Sequence, residues 1–564
     1  MLSFLSMIEI ILHIKRGPVA LEPDAAQFNY QYVEIYKDLF RKARLSDGSV
    51  VYKTQRHMAL DQSFPEHKGK NTKRIFVLGG SVAQSLFIKD ATYFWKLFKS
   101  RDPEEKFEVI CCGMPCYDSY RELLIQKEIV NYNPDLIILM SGNNEFFTSV
   151  RINLWAYRSN KFLRNFWVYR LPQDKLIEYF RNHGKCGQVT SDIRLANFKN
   201  NIRSMIRMAK KKNIAMAVCT LPANFRDCPP EIGDIPLENR QFFLGWVALN
   251  ERNYEEAKKC FWQFIDTHPK NAFGHYFLAK CYDALGRYPE AQEYYLKALD
   301  LEDGGNRCQP ERNRVIRRLS KEEAVAEVDL ERFFIGIAPH GLVGKELFFE
   351  QCHWWEEYDS CVYKEIFRSL VEYHKLHLTS SPAFLSNLQG DFDSRSCQPY
   401  EGTRSKERAL RMVLYVVPHI RPQIRQYSDD IHFINERAIT FLVTAVKFDP
   451  ELFNSIPSLK GRILNGVSDN WWIKDIMPDL DDIWISLTCH IGEAFRRLGK
   501  YDKAIEYFSE TIRLNPRICF AYLGRGLAYY RLGRIAETKD DFEEITKISC
   551  RHTLTDSYRQ YLGF

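Results

Sequence analysis

Between Lys73 and about Cys228 the chain alternates short apolar runs with longer stretches of helical period. The runs are Arg74 to Leu78, Phe107 to Cys112, Asp135 to Met140 and Ile214 to Thr220. The first three end in small or turn-forming residues: Gly79-Gly80-Ser81, Gly113-Met114-Pro115 and Ser141-Gly142-Asn143-Asn144-Glu145. Apolar runs of this length predict strands buried on both faces. The helical stretches between them, such as Asn197 to Lys212, predict the crossovers of a parallel sheet, hence an α/β layer structure. At the first turn two glycines let the backbone bend without a Cβ clash, so the Ser81 hydroxyl stands at the carboxyl end of a strand. Open α/β sheets place their chemistry there. Pro222, Pro229 and Pro230 then break the pattern.

A different period follows. Gly245, Ala257, Phe261 and Pro269 occupy the small, small, aromatic and terminating positions of a helix-turn-helix unit, and a shift of about 34 residues finds Ala279, Ala291 and Tyr295. Near the carboxyl end Gly492, Ala504, Phe508 and Pro516 repeat the pattern. Gly526 and Phe542 follow one period on, with Thr538 where alanine is usual. These units resemble tetratricopeptide repeats, which implies a protein or peptide partner. Each pair falls short of the three or more units a free-standing array needs, so each is expected to pack on a neighbouring domain. Between the pairs, the stretch Thr379 to Pro478 opens with a polar segment, Gly390 to Lys406. It turns helical around Ala409 to Val417 and Ile434 to Val446, and it suggests no function.

At 564 residues the chain is too long for a single core. A net charge of +7 is small for that length and does not argue for nucleic acid, for which no recognition motif is present either. No dinucleotide fingerprint or phosphate-binding loop occurs, and no cofactor or metal is implied. Fifteen cysteines without a repeated CxxC suggest neither a zinc site nor a disulfide framework, which favours a reducing, cytoplasmic setting. Cys111, Cys112 and Cys116 are a metal or redox candidate, with small buried residues closing a strand as the favoured reading. The apolar amino terminus, Met1 to Ile14, is too short to span a bilayer and is interrupted by Glu9. An interfacial helix touching a membrane, the tail of an anchor and a helix packed on the first domain all fit it. The basic, aromatic stretch Arg151 to Arg181 reads as a lid over an acyl chain, as a surface touching anionic lipid or, more simply, as an amphipathic helix covering the domain.

The three strand-then-turn blocks, together with Pro222 to Asp227, resemble the GDSL/SGNH hydrolases, in particular the subgroup carrying tetratricopeptide repeats. The likeness covers about residues 70 to 375 and the distal repeats. It implies a flavodoxin-like, three-layer α/β fold with a parallel sheet and with inserted and carboxyl-terminal helical repeats. It also implies cleavage or transfer of an acyl ester through a Ser81 acyl-enzyme, with an oxyanion hole made by the backbone amides of Ser81 and Gly113 and the side chain of Asn144. The family completes its site with Asp-x-x-His, and two places compete for that block. Asp429-Asp430-Ile431-His432 fits the literal spacing, whereas Glu350-Gln351-Cys352-His353 fits the context of a final strand after the first repeat pair. The context favours His353 as base and Glu350 as its orienting carboxylate. Glu350 in place of aspartate, and Trp354-Trp355 after the histidine, depart from the family pattern.

The expected organisation is an amino-terminal segment 1–70, hydrolase core 71–236, repeat pair 237–303, core completion with the histidine block 304–378, helical connector 379–480 and second repeat pair 481–564. The competing reading is a chemically silent hydrolase domain in a repeat scaffold that grips a protein partner.

Overall fold

The computed structural model describes residues 38–88, 106–145, 191–231, 235–302, 305–373, 405–420, 435–469, 479–548 and 553–564. The apolar amino terminus, the stretch Arg151 to Arg181 and the Asp429–His432 pair lie outside the described residues. The chain divides into two compact bodies. One comprises residues 1–221, 311–330 and 362–388; the other comprises 222–310, 331–361 and 389–564.

The first body is built on two sheets. Strands β1 (Phe40–Arg44), β2 (Val50–Thr54) and β3 (Ser63–Pro65) form an antiparallel meander. Strands β4 (Thr72–Gly79), β5 (Lys106–Gly113), β6 (Leu136–Met140), β7 (Ala215–Thr220) and β8 (Ala326–Asp329) form a parallel sheet in the order β5-β4-β6-β7-β8. This is the flavodoxin-like order, and its direction of winding reverses between β4 and β6. Helices Ser119–Ile129, Ser191–Lys211 and Pro310–Glu322 contribute Ile125, Ile129, Phe198, Ile202, Met205, Ile316 and Leu319 to one core with Phe76, Leu78, Ile137 and Leu139. The α/β sheet and its final strand after the first repeat pair are as expected.

The meander was not anticipated. Phe40 and Phe64 enter the sheet's core, with ring centroids 5.0 Å apart and Phe64 a further 5.6 Å from Phe76. Arg74, fully buried in β4, donates from Nη2 to the Pro65 carbonyl at 2.8 Å and from Nε to Glu108 at 2.6 Å. The first of these bonds ties the meander to the sheet, and the second holds the guanidinium against β5.

In the second body the repeat residues do what their spacing predicts. Helices Arg240–Asn250 and Tyr254–Thr267, then Ala272–Ala284 and Tyr288–Leu301, form two antiparallel pairs. A Cβ on Gly245 would lie 3.0 Å from Cys260 Cβ and 3.2 Å from the Phe261 ring. The distal helices Leu480–Arg497, Tyr501–Leu514, Cys519–Arg531 and Ile535–Lys547 repeat the arrangement, with Thr538 Oγ1 donating back to Arg534 O at 2.9 Å.

The connector holds helices Ser405–Ile420, Glu436–Phe448 and Ile456–Asp469. Glu436 at its centre accepts from Trp246 Nε1 of the first repeat pair at 2.9 Å and from Arg497 Nη1 of the distal helices at 2.6 Å. The two repeat pairs are thus joined in one body through a buried carboxylate, and the need of each pair for a neighbour is met there. The stretch 331–361, which carries the histidine block, also belongs to this body.

Among the described residues, no helix is long and apolar enough to cross a membrane. Cys361 and Cys519 are each held in a disulfide, whereas ten other cysteines among the described residues are free. Spacing along the chain did not single these two out, because pairing is decided by proximity in space. Cys111 and Cys112 are free and buried in β5, where burial pushes the Cys111 thiol up to about 12.

Candidate active site

The carboxyl ends of β4, β5 and β6 are level: Gly79 pairs with both Gly113 and Met140. Ser81 opens the helix Ser81–Ile88 directly beyond β4, and Asn144 lies four residues beyond the end of β6. The two therefore flank the point where the winding of the sheet reverses, the crevice in which open α/β folds bind ligands. Close approach explains the small residues. A Cβ on Gly80 would stand 2.4 Å from Asn144 Nδ2, and one on Gly113 would stand 2.5 Å from the Gln84 backbone nitrogen. Asn144 is 7% exposed, and its Nδ2 donates to the Tyr117 carbonyl at 3.0 Å. Ser81, Gly113 and Asn144 thus gather at one end of the first body.

The loop bearing Asn144 is held from below. Arg312 Nη1 donates to Gly142 O at 2.8 Å. Glu145, fully buried, accepts from the Ser119 amide and pairs with the Ser119 hydroxyl, both at 2.8 Å. Asp118 caps the helix Ser119–Ile129 by accepting from the Arg121 amide at 3.0 Å. Burial, reinforced by the Asp118 carboxylate, pushes Glu145 up to about 7 against the opposing pull of Arg312 and Ser119.

In the second body, Glu350 and His353 form a pair at the tip of a tight loop. Phe348 and Trp354 bridge across it, and the Trp355 amide donates to Leu347 O at 2.9 Å. Glu350 Oε1 faces His353 Nδ1 at 2.6 Å and accepts the backbone amides of Cys352 at 2.9 Å and His353 at 2.5 Å. Burial by itself would raise this carboxyl. The His353 ring, the Cys352 amide and the Arg437 cation outweigh it and hold Glu350 down at about 2. The extra methylene of glutamate is taken up by folding the side chain back over its own turn. Both tryptophans are buried anchors. Trp354 Nε1 donates to Asp359 at 2.8 Å while its ring lies 5.3 Å from that of Phe334, and Trp355 Nε1 donates to Lys345 O at 2.8 Å.

Glu350, Cys352 and His353 present a carboxylate oxygen, a thiol sulfur and an imidazole nitrogen within 4.8 Å of one another, a donor set that suits zinc. The 2.6 Å between Oε1 and Nδ1 does not. Two ligands on one tetrahedral zinc, each about 2.0–2.1 Å from it, stand about 3.3 Å apart. The contact accommodates a proton.

The tetratricopeptide repeat family matches residues 244–306 and 488–518. The chain is also similar to a TPR repeat-containing protein of Borreliella burgdorferi, 37% identical over 54 residues, which are 10% of this chain; the chain spans only 24% of that relative's length. Among solved structures, the acetyl xylan esterase AlAXEase aligns at 14% identity with a TM-score of 0.27, covering 53% of this chain and 99% of that one. A GDSL-like lipase of Bacteroides thetaiotaomicron aligns at 12% identity with a TM-score of 0.26, covering 56% and 93%. An acetylxylan esterase of Geobacillus stearothermophilus aligns at 12% identity with a TM-score of 0.26, covering 53% and 93%.

Proposed function

We propose that this chain is an SGNH-type serine hydrolase or O-acyltransferase that works through an acyl-enzyme on Ser81. The observation that carries the reading is the Glu350–His353 contact, an ionised carboxylate bonded to Nδ1 of an imidazole. That bond selects the tautomer whose Nε2 is a base, the arrangement an unactivated serine hydroxyl requires. In the proposed reaction the Ser81 oxygen attacks the ester carbonyl as His353 takes its proton. The tetrahedral intermediate collapses with loss of the alkoxide, which His353 protonates. Water or a second hydroxyl then repeats the attack on the acyl-enzyme and frees Ser81. The oxyanion is met by the amides of Ser81 and Gly113 and by the second Nδ2 hydrogen of Asn144. One such donor is worth about 3 kcal/mol of barrier. Burial of Glu350 makes its charge effective, since a partner in water would be screened. The repeat pairs are assigned the binding of a protein or peptide partner.

The test is turnover of a p-nitrophenyl short-chain ester by the full chain and by Ser81→Ala, His353→Ala and His432→Ala, with fluorophosphonate labelling of Ser81. We expect Ser81→Ala and His353→Ala each to remove turnover at least about a thousandfold, and His432→Ala to retain it. Undiminished turnover in folded Ser81→Ala protein would leave the scaffold reading in its place. Loss with His432→Ala alone would move the base to that residue.

A further inference from the structure

The connector, which carries no recognisable motif, converges on the histidine loop. From helix Ser405–Ile420, the Arg408 guanidinium lies 4.6 Å over the Trp355 ring and pairs with Glu357. Arg411 lies 4.3 Å over Phe349 and bonds Glu356 at 3.1 Å. One turn on, the Tyr415 hydroxyl donates to the side-chain oxygen of Gln351. From helix Glu436–Phe448, Arg437 donates to that same oxygen through Nη2, to Tyr415 at 2.7 Å, and through Nη1 to Glu231. The other side of Gln351 is held as well, its carbonyl accepting from the Asn224 amide at 2.9 Å. Asn224 Nδ2 also donates to the Glu350 carbonyl at 3.3 Å.

Gln351 sits between Glu350 and Cys352, so fixing it from both sides fixes the backbone on which the Glu350–His353 pair is built. We infer that the connector helices Ser405–Ile420 and Glu436–Phe448 are a positioning brace for the histidine loop, with Arg437 and Tyr415 acting on it through the one oxygen of Gln351. This rests on the esterase reading for its catalytic consequence and on the hydrogen bonds alone for its structural one. Gln351 is the informative target. Removing its amide leaves Arg437 paired with Glu231 and Tyr415, whereas removing Arg437 would strand Glu231 and risk the fold.

Full-length Gln351→Met, Tyr415→Phe and the double variant should be compared with the native chain for p-nitrophenyl acetate turnover and for amide hydrogen exchange of the peptide 347–355. For Gln351→Met we expect kcat to fall at least about tenfold with KM within about twofold, because the loop is misplaced rather than the substrate lost. Exchange of 347–355 should quicken while the distal repeat peptides keep their protection. The double variant should be no worse than Gln351→Met, since both side chains work through one acceptor. Unchanged kcat and unchanged loop exchange in Gln351→Met would overturn the brace, as would fully additive losses in the double variant. Failure of the esterase reading is seen separately, in Ser81→Ala turnover, and leaves the exchange measurement to decide the brace by itself.

Discussion

Glu350 stands where the pattern this chain resembles has aspartate, and its extra methylene is absorbed locally. Its carboxylate folds back to collect two backbone amides of its own turn and still reaches His353 Nδ1 at 2.6 Å. Glu350→Gln keeps the shape and removes the charge. It should lower kcat by about 10²-fold or more with little change in KM, as checked by steady-state kinetics on a p-nitrophenyl ester. A variant as active as the native chain would remove Glu350 from the mechanism. Ser81, Gly113, Asn144, Glu350 and His353 are nominated as candidates by the resemblance of their local blocks to a family pattern, each block being a strand end or a tight turn with its own short run of residues. Arg437 and Tyr415 could not be nominated in this way. They act on Gln351 across 86 and 64 positions of sequence, and an arginine or a tyrosine on an amphipathic helix gives no local sign of what it will meet.

At the level of elements, the repeat helices follow rules of size. Gly524 faces the wholly buried Phe508 ring, and a Cβ there would lie 2.2 Å from Phe508 Cζ. Alanine is the better helix former by about 1 kcal/mol, but overpacking a closed interface costs about 1–3 kcal/mol. The ring is also pressed against Gly492, where a Cβ would lie 2.9 Å from Phe508 Cδ1, so packing wins. Gly524→Ala should destabilise the protein by up to about 2 kcal/mol in urea titration of the full chain, and a gain in stability would refute the packing account. Thr538 departs from the usual alanine without penalty because its hydroxyl is satisfied by Arg534 O and Gly526 O. The meander β1–β3 was illegible for the opposite reason. In β1 only Phe40 is a large apolar residue among charged neighbours, so the strand has no pattern of its own and is recruited by the core it touches.

For the molecule as a whole, the buried acids of the first body link folding to pH. The folded value of Glu145, about 7, lies above the ordinary 4.5, so the fold binds this proton more tightly than the unfolded chain does. Its stabilisation is complete below the ordinary value and is lost as pH rises through about 7. Asp118, Ser119 and Arg312 face it, and Asp118 and Glu122 are themselves raised by burial. Glu145→Gln should therefore flatten the fall in stability between about pH 5 and pH 8, by up to about 3 kcal/mol, in urea titrations across that range. An unchanged pH profile would show that the carboxyl ionises freely in the fold. What the amino-acid order determined by itself was local and periodic. Apolar runs specified the strands, paired glycines the turns, and the spacing of small and aromatic residues the helix pairs, because each depends on neighbours within a turn or a period. Tertiary structure alone decided that 331–361 groups with the repeats, that Cys361 and Cys519 form disulfides, and that the connector grips Gln351. Those outcomes depend on which remote surfaces meet, and hydrogen bonds between distant side chains leave no period along the chain.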